Sequence, residues 1–299
     1  MSPFKFVTDL RFSPLTGQWL AHNIEETIVW HNGQAAPAYR LPGPLIGISQ
    51  DGGMILTGRK EIHLAASDTG EPLKLTPKVA VQFALGQRLW VRTMGFTVYV
   101  YNPATPGQPK KLDFSDEFKP APGVHQALGR TAVSPNGRAI AVTFEAEGGG
   151  FETSRGSVFD MEGKRLYRFS VDHNTLPMLH FTANPNVLAV SSNVNYITLY
   201  DGENGRVLQK IRYTDTPKLA VRPDSEPLMF VYRNGRSTWH LVEGDHTLLK
   251  ANEKDRIQAL AFTDANSIGV LLVDGTLNVY TLDAKLLETY YVNKTETDS

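Results

Sequence analysis

Short apolar segments recur along the chain and are separated by turns rich in Gly, Pro, Asn and Asp. In each repeat, a segment ending in a large apolar residue precedes a polar turn, a strongly apolar segment and two further short segments. Short runs of Val, Ile, Leu, Tyr and Phe bounded by turn residues predict β-strands. The end of the first strand of each repeat aligns at seven residues: Phe12, Ile48, Phe83, Val133, Phe181, Val221 and Phe262.

The spacing of these seven residues, between 35 and 50 positions, is typical of a four-stranded repeat of about 40–45 residues. The second strands are almost continuously apolar, which indicates burial on both faces by neighbouring sheets. These strands are predicted at Ala139–Thr143, Val187–Ser191, Leu228–Tyr232 and Ser267–Leu272. The dipeptides Asn234-Gly235 and Asp274-Gly275 fit the tight turns after two of them, because both tolerate positive φ.

We therefore predict an all-β fold, a single closed β-propeller of seven blades with four antiparallel strands each, with six or eight blades as alternatives. The propeller is predicted over 1–293, followed by a disordered tail at 294–299. The chain termini are expected to meet between the last and first blades without exchanging a strand. The predicted blades span approximately 7–42, 43–76, 77–115, 128–170, 176–212, 216–251 and 256–293.

Several of these segments resemble the repeat of WD-repeat propellers. The resembling segments are Val-Ser-Pro-Asn-Gly (133–137), Val-Arg-Pro-Asp (221–224), Phe-Thr-Asp-Ala-Asn (262–266) and Ile-Thr-Leu-Tyr-Asp (197–201). The repeats are degenerate, since no Gly-His pair opens one and no Trp-Asp pair closes one. The residues that stand where that family usually has Trp are Trp30, Tyr101, Phe159, Tyr200 and Tyr280. The resemblance covers nearly the whole chain and implies the fold, but it implies no specific function.

Composition narrows the class of protein. The absence of cysteine excludes disulfides, Cys-ligated metals and cysteine nucleophiles. A net charge of −1 with interspersed charges gives no basic surface for nucleic acid. Because no long apolar run or amino-terminal signal pattern is present, we expect a cytoplasmic chain without membrane insertion.

The sequence lacks the common motifs that indicate catalysis. The eight histidines show no metal-ligand spacing, and neither a Gly-x-Ser-x-Gly elbow nor a phosphate-binding Gly-x-x-x-x-Gly-Lys loop occurs. We therefore predict no catalytic residue, no metal and no cofactor. This favours a binding protein and leaves enzymatic activity open.

Two long connections are predicted on the same face: 115–129, which joins blades 3 and 4, and 145–155, within blade 4. Loops longer than about 12 residues are uncommon unless they are functional or disordered. One hypothesis is a recognition face for a protein partner. Its candidate residues are Glu117, Phe118, Lys119, Phe151, Glu152 and Arg155. The alternative is a neutral insertion whose two Phe side chains pack into the blade edge.

A second set of candidates lies in the first strands, which line the channel of a propeller. The residue before the aligned position is small in four repeats, but it is Arg11, Gln82 or His180 in the others. These side chains could hold a small molecule or an anion. Alternatively, they fill wedges between unequal blades and are hydrogen-bonded there.

The leading functional hypothesis is a non-enzymatic, WD-repeat-like scaffold or adaptor that binds protein partners. The first alternative is a small-molecule binder or a lactonase- or hydrolase-like enzyme that uses the channel. The second alternative is a structural subunit of a larger assembly, which predicts an exposed apolar patch.

Overall fold

In the computed structural model, the described residues form 26 β-strands in seven antiparallel sheets, each built from consecutive strands of the chain. The structure describes residues 7, 9–13, 16–31, 33–49, 52–59, 61–74, 90–102, 108–118, 123–134, 136–148, 153–171, 179–182, 184, 186–191, 196–212, 218–222, 228–263 and 267–292. The predicted tail at 294–299 lies outside the described residues.

The sheets are numbered as blades in chain order. Blade 1 contains β1 (Asp9–Ser13), β2 (Gln18–His22), β3 (Glu26–His31) and β4 (Tyr39–Pro42). Blade 2 contains β5 (Leu45–Ile48), β6 (Met54–Gly58) and β7 (Ile62–Ala66). Blade 3 contains β8 (Trp90–Met94), β9 (Thr97–Tyr101) and β10 (Lys110–Asp113). A short 3₁₀ helix, Ser115–Glu117, follows β10.

The other four blades have four strands each. Blade 4 contains β11 (Val124–Val133), β12 (Ala139–Gly148), β13 (Thr153–Asp160) and β14 (Arg165–Ser170). Blade 5 contains β15 (Leu179–Phe181), β16 (Val187–Ser191), β17 (Tyr196–Asp201) and β18 (Val207–Arg212). Blade 6 contains β19 (Leu219–Val221), β20 (Met229–Asn234), β21 (Thr238–Glu243) and β22 (His246–Asn252). Blade 7 contains β23 (Ile257–Phe262), β24 (Ser267–Leu272), β25 (Thr276–Thr281) and β26 (Leu286–Tyr291).

The predicted fold class is confirmed: the chain is an all-β propeller of seven blades. Five blades have four strands. In blade 2 and in blade 3, three strands each lie within the described residues. The blades group into two compact units. Unit 1 comprises Met1–Gln82 and Thr214–Ser299 and holds blades 1, 2, 6 and 7, whereas unit 2 comprises Phe83–Tyr213 and holds blades 3, 4 and 5.

The hydrophobic core lies between adjacent sheets. Every residue of the second strands β2, β6 and β16 is buried, and most of these residues are apolar, as expected for strands covered on both faces. In unit 1, separate apolar clusters fill the spaces between blades 1 and 2, blades 6 and 7, and blades 7 and 1. In unit 2, two clusters fill the spaces between blades 3 and 4 and between blades 4 and 5. Each sheet is therefore stabilised by its neighbours.

Blades 7 and 1 meet directly. Trp19, Trp30 and Tyr290 share one buried cluster between them. The indole Nε1 of Trp30 donates to the carbonyl of Tyr291 at 3.3 Å, and the Tyr291 amide donates to the carbonyl of Ala35 at 2.6 Å. Side-chain packing and a few hydrogen bonds therefore join these two sheets, and both keep their own consecutive strands.

A hydroxyl residue closes the turn between the first and second strands in five blades. It directly follows the aligned apolar residue and is buried in each case, at Ser13, Ser49, Ser134, Thr182 and Thr263. The Ser134 hydroxyl accepts the Ala139 amide at 2.9 Å, and the Ser49 hydroxyl accepts the Met54 amide at 2.8 Å. These side chains satisfy backbone donors that would otherwise be buried without a partner.

A carboxylate links blades 6 and 7. Glu253, in the connection between them, accepts hydrogen bonds from Trp239 Nε1 at 3.1 Å, Asn278 Nδ2 at 3.1 Å and Tyr280 Oη at 3.0 Å. Burial, with Glu253 adding to it, raises the pKa of the Tyr280 phenol. Glu253 therefore pairs three polar groups contributed by two blades.

We expect Glu253→Ala to lower the free energy of unfolding by about 3 kcal/mol, because three donors lose their acceptor in a low-dielectric setting. Urea titration measures the loss as a lower midpoint with an unchanged m-value. The exposed Glu71 is the control, and Glu71→Ala should change the midpoint little. Equal midpoints for the two variants would contradict this role of Glu253.

A tyrosine of one blade packs on a turn glycine of the next in both units. Gly70 has φ +73° and Gly205 has φ +76°, and a Cβ on either would overlap the ring of Tyr39 or Tyr167, respectively. Gly163 has a similar φ of +85°, but the space beside it is open. Gly70 and Gly205 are thus required both by the backbone conformation and by the neighbouring ring.

We expect Gly163→Ala to cost about 1 kcal/mol because of its positive φ alone. Gly205→Ala should cost about 2–4 kcal/mol, since overlap with the Tyr167 ring adds to that strain. Thermal unfolding of both variants gives the comparison. If the two variants lose the same stability, the Tyr167 contact contributes nothing.

Candidate binding surfaces

Parts of the two predicted long loops are strand, namely 124–129, 145–148 and 153–155, so the prediction of loops is wrong for these residues. Residues 124–128 of β11 pair with residues 144–148 of β12, and β13 resumes at Thr153. The backbone ladder extends blade 4 through a segment without a continuous apolar run. Hydrogen bonds between backbone groups do not require apolar side chains, which is why the sequence pattern missed these extensions.

A bulge separates this extension from the rest of β11. The register shifts between Leu128 and Thr131, and the Arg130 amide donates to Thr143 Oγ1 at 2.6 Å. At Gly129 a Cβ would overlap the side chains of Thr143 and Glu145, so a larger residue there would have to displace them. The bulge therefore redirects the end of blade 4 that carries the candidate residues.

The 3₁₀ helix brings Glu117 against blade 4. Its carboxylate accepts Arg165 Nη1 at 2.8 Å, and Arg155 Nη2 lies 3.9 Å from it. Arg155 also donates to the Glu117 backbone carbonyl. Exposed ion pairs of this kind stabilise a protein by at most about 1 kcal/mol. Their main effect here is to fix the connection between blades 3 and 4 on the edge of blade 4.

Phe118 is half-buried and packs into an aromatic cluster. Its ring centroid lies 4.2 Å from that of Phe96 and 5.4 Å from that of Phe144, and Arg155 lies over the Phe144 ring at 5.4 Å. The exposed apolar residues at this site are Phe96, at 37%, and Met94, at 52%. We call the surface formed by Met94, Phe96, Glu117, Phe118, Arg155 and Arg165 the aromatic lip.

Met94, Phe96 and Arg165 were not predicted as site residues. A usable signal existed for Met94 and Phe96, since two large apolar residues flank Gly95 in the β8–β9 turn. Turns lie at the surface, so apolar residues there are exposed. For Arg165, no local pattern links it to Glu117, which is 48 positions away. The candidates Lys119, Phe151 and Glu152 lie outside the described residues.

The channel candidates are placed as follows. Gln82 lies outside the described residues. His180 is half-buried in β15, between the buried residues Leu179 and Phe181, and belongs to unit 2. Arg11 lies in β1 of unit 1.

Arg11 belongs to a compact polar group in blade 1. Its Nε and Nη2 atoms donate to Asp9 Oδ2 at 3.0 and 3.1 Å. His22 is the cross-strand neighbour of Asp9, so the two side chains project from the same face of the sheet. His22 is only 5% exposed, and neither ring nitrogen has a hydrogen-bond partner within the described part of the chain.

Burial lowers the pKa of His22 below its ordinary value. The Asp9 carboxylate opposes this shift and Arg11 adds to it. Burial also lowers the pKa of His240, in β21, with a further contribution from Lys250. Both imidazoles are therefore held neutral at neutral pH.

The described residues provide neither a metal site nor a membrane-spanning helix. Among the described residues, no group of three or more His, Asp or Glu side chains is placed to hold a metal ion. No helix within them has the length and apolarity to cross a membrane.

No family model matches the sequence, and no curated protein matches it either. Solved structures do resemble the chain. A KlHsv2 structure, with loop 6CD replaced by a Gly-Ser linker, is 12% identical, with 95% of this chain and 98% of that chain covered and a TM-score of 0.57. The Dos1 propeller is 14% identical, covers 96% and 81%, and has a TM-score of 0.52. BamB from Moraxella catarrhalis is 11% identical, covers 91% and 96%, and has a TM-score of 0.50.

The chain has the β-propeller fold. Identities this low show the fold of the propeller alone, because propellers with the same architecture serve unrelated functions. The function of this propeller therefore has to be inferred from its own surfaces.

The lowered histidine pKa values predict an acid-sensitive fold. Because the unfolded state binds protons that folded His22 and His240 do not, the free energy of unfolding should fall as the pH drops through about 6.5. The slope should approach about 1.4 kcal/mol per pH unit for each histidine until its folded-state pKa is reached.

Thermal unfolding between about pH 8 and pH 5 measures this slope. His22→Asn should flatten it, whereas His246→Asn, at an exposed position, should leave it unchanged. A parent-like slope in His22→Asn would show that His22 is not held neutral.

Proposed function

We propose that this propeller is a non-enzymatic scaffold or adaptor that binds a protein partner through the aromatic lip. The observation that carries the proposal is the exposed Phe96 ring stacked on Phe118, with Met94 beside it and charged side chains around it. Protein interfaces typically combine an aromatic centre with a polar rim, and a few such residues dominate the binding energy.

The support beneath the lip favours the same function. Phe114, Phe144 and Phe159 form a buried aromatic base, with ring centroids of Phe114 and Phe159 4.6 Å apart. Phe118 stacks on this base through Phe144. A surface that is ordered before binding loses less conformational entropy when a partner docks.

The charges of the lip indicate the partner's chemistry. Arg155 and Arg165 share the single carboxylate of Glu117, so this group carries a net positive charge. A partner with an apolar anchor flanked by acidic residues would fit both features. The candidates Lys119, Phe151 and Glu152 remain part of this hypothesis, and the cytoplasmic location stays a prediction.

One observation favours the second candidate function, a small-molecule binder: the buried His22 beside the half-buried Asp9 and Arg11 in blade 1. It provides charge and unused hydrogen-bonding capacity away from the aromatic lip. The proposed scaffold function does not use this group.

The scaffold proposal is tested with the intact chain as bait in lysate of its source cells, followed by binding measurements with the purified partner. The double variant Met94→Ser/Phe96→Ser should weaken binding at least about 30-fold, because it removes the exposed apolar centre. Met94 is 52% and Phe96 37% exposed, so we expect the fold to be retained.

The matched control is Leu248→Ser/Leu287→Ser, which removes two residues that are each 52% exposed in unit 1. It should bind the partner as the parent does. A partner retained by the lip variant would exclude the lip as its site. Turnover of a small substrate without any captured partner would argue against a scaffold altogether.

A further inference from the structure

Cationic side chains of blades 6 and 7 lie at one end of the first strands of unit 1, beside the chain segment that enters blade 1. Strands β19, β23 and β1 lie side by side, β23 being between the other two. Lys218 directly precedes β19, Arg256 directly precedes β23, and Arg233 lies near the end of β20. These positions are all at the edge where the first strands begin.

Hydrogen bonds fix the backbone and side chains at this edge. The Arg233 amide donates to the Lys218 carbonyl at 2.9 Å, and Arg233 Nη1 donates to the Ile257 carbonyl at 2.7 Å. Lys218 Nζ reaches the carbonyl of Val7 at 3.4 Å, just before β1. Lys218 of blade 6 therefore contacts the chain segment that enters blade 1, although β23 of blade 7 lies between the first strands of these two blades.

Cationic side chains outnumber carboxylates among the groups that interact with Lys218. Lys218 interacts electrostatically with Arg233, Arg256 and Asp9. Asp9 is also the carboxylate to which Arg11 is paired at 3.0 Å. Arg11 and Lys218 thus both interact with the Asp9 carboxylate, and Arg233 and Arg256 add positive charge beside Lys218. Burial lowers the pKa of Lys218, and Arg233 and Arg256 lower it further while Asp9 opposes them, so an added anion would stabilise the charged lysine.

His22 is the second observation that points to a ligand. Its ring lies on the face of blade 1 that carries Asp9 and Arg11, and it interacts electrostatically with both. A buried ring with two unpaired nitrogens forgoes hydrogen bonds that most buried polar groups make. A neutral imidazole offers one donor and one acceptor to a bound molecule.

We propose that Lys218, Arg256, Arg11 and His22 form a binding site for an oxyanion, the phosphate or carboxylate group of a small molecule. Lys218 and Arg256 supply charge from blades 6 and 7, and His22 supplies a directional donor from blade 1. Charge-assisted hydrogen bonds to arginine and lysine strengthen where water is partly excluded, as at the half-buried Lys218. Arg233 is 2% exposed and its guanidinium is fixed by the hydrogen bond to the Ile257 carbonyl. It therefore adds a positive charge at a fixed position beside the site.

Inorganic phosphate and sodium acetate test the proposal on the intact chain. Each is compared with sodium chloride at the same ionic strength, because general screening by salt would act equally in both. A ligand that binds the folded state raises the unfolding temperature in a concentration-dependent way. Saturable stabilisation by phosphate alone identifies a phosphate site, and saturable stabilisation by acetate identifies a carboxylate site. Stabilisation no greater than that by chloride in both cases overturns the proposal.

Variants locate the site. Lys218→Met and Arg256→Gln should each raise the dissociation constant of the anion about ten-fold, which is the effect of losing one charge-assisted hydrogen bond. The controls Lys210→Met and Arg168→Gln remove the same charges from exposed positions of unit 2 and should bind as the parent does. Arg256 is itself exposed, so its variant remains informative if Lys218→Met fails to fold. Parent-like binding by Arg256→Gln overturns the assignment.

Nuclear magnetic resonance provides an independent readout. The ring signals of His22 should shift on titration with the stabilising anion, with the same dissociation constant as the thermal data. The ring signals of the exposed His246 should not. If His22 is unaffected, the anion does not occupy the proposed site.

Discussion

The structure depends on strands that are buried on both faces. Every residue of β2, β6 and β16 is buried, so the sheets that contain these strands need cover on both faces. The same constraint determines what polar groups these strands tolerate. Thr57 of β6 is completely buried, as is Thr27 of β3 in blade 1, and their hydroxyls donate to the carbonyls of Pro42 at 2.7 Å and Gly43 at 2.8 Å, respectively. A threonine fits there because its hydroxyl finds a partner in the connection between blades 1 and 2.

The sequence predicted the features that follow from side-chain burial. Uninterrupted apolar runs located the second strands, and Asn-Gly and Asp-Gly located turns in which Gly235 and Gly275 have positive φ. It did not predict the extension of blade 4. Between Val124 and Leu128, exposed and half-buried residues alternate, and the sheet continues through its backbone hydrogen bonds. A repeated signal was present but unused, namely the hydroxyl residue after five of the seven aligned positions.

The candidate sites were less accessible to sequence reasoning because their residues come from distant parts of the chain. Arg11 was recognised because it breaks a pattern of small residues, but Lys218, which interacts with the same Asp9 carboxylate, precedes the first strand of blade 6. No spacing rule relates these positions. Phe118 was recognised as an aromatic residue in an insertion, yet only the structure shows it packed beneath Phe96. Sequence patterns report the environment within one blade, whereas these sites are produced by the packing of several.

The junction of blades 7 and 1 has a consequence for biosynthesis. Trp30 and Tyr291, which meet there, are 261 positions apart in the chain, whereas unit 2 is one continuous segment, Phe83–Tyr213. During translation, every residue of unit 2 is available before the second segment of unit 1 has been made. Blades 1 and 2 therefore emerge first, yet their unit is completed last. Until then, the face of blade 1 that buries Trp30 lacks its partner, and the nascent chain carries an exposed apolar sheet face of the kind that chaperones bind.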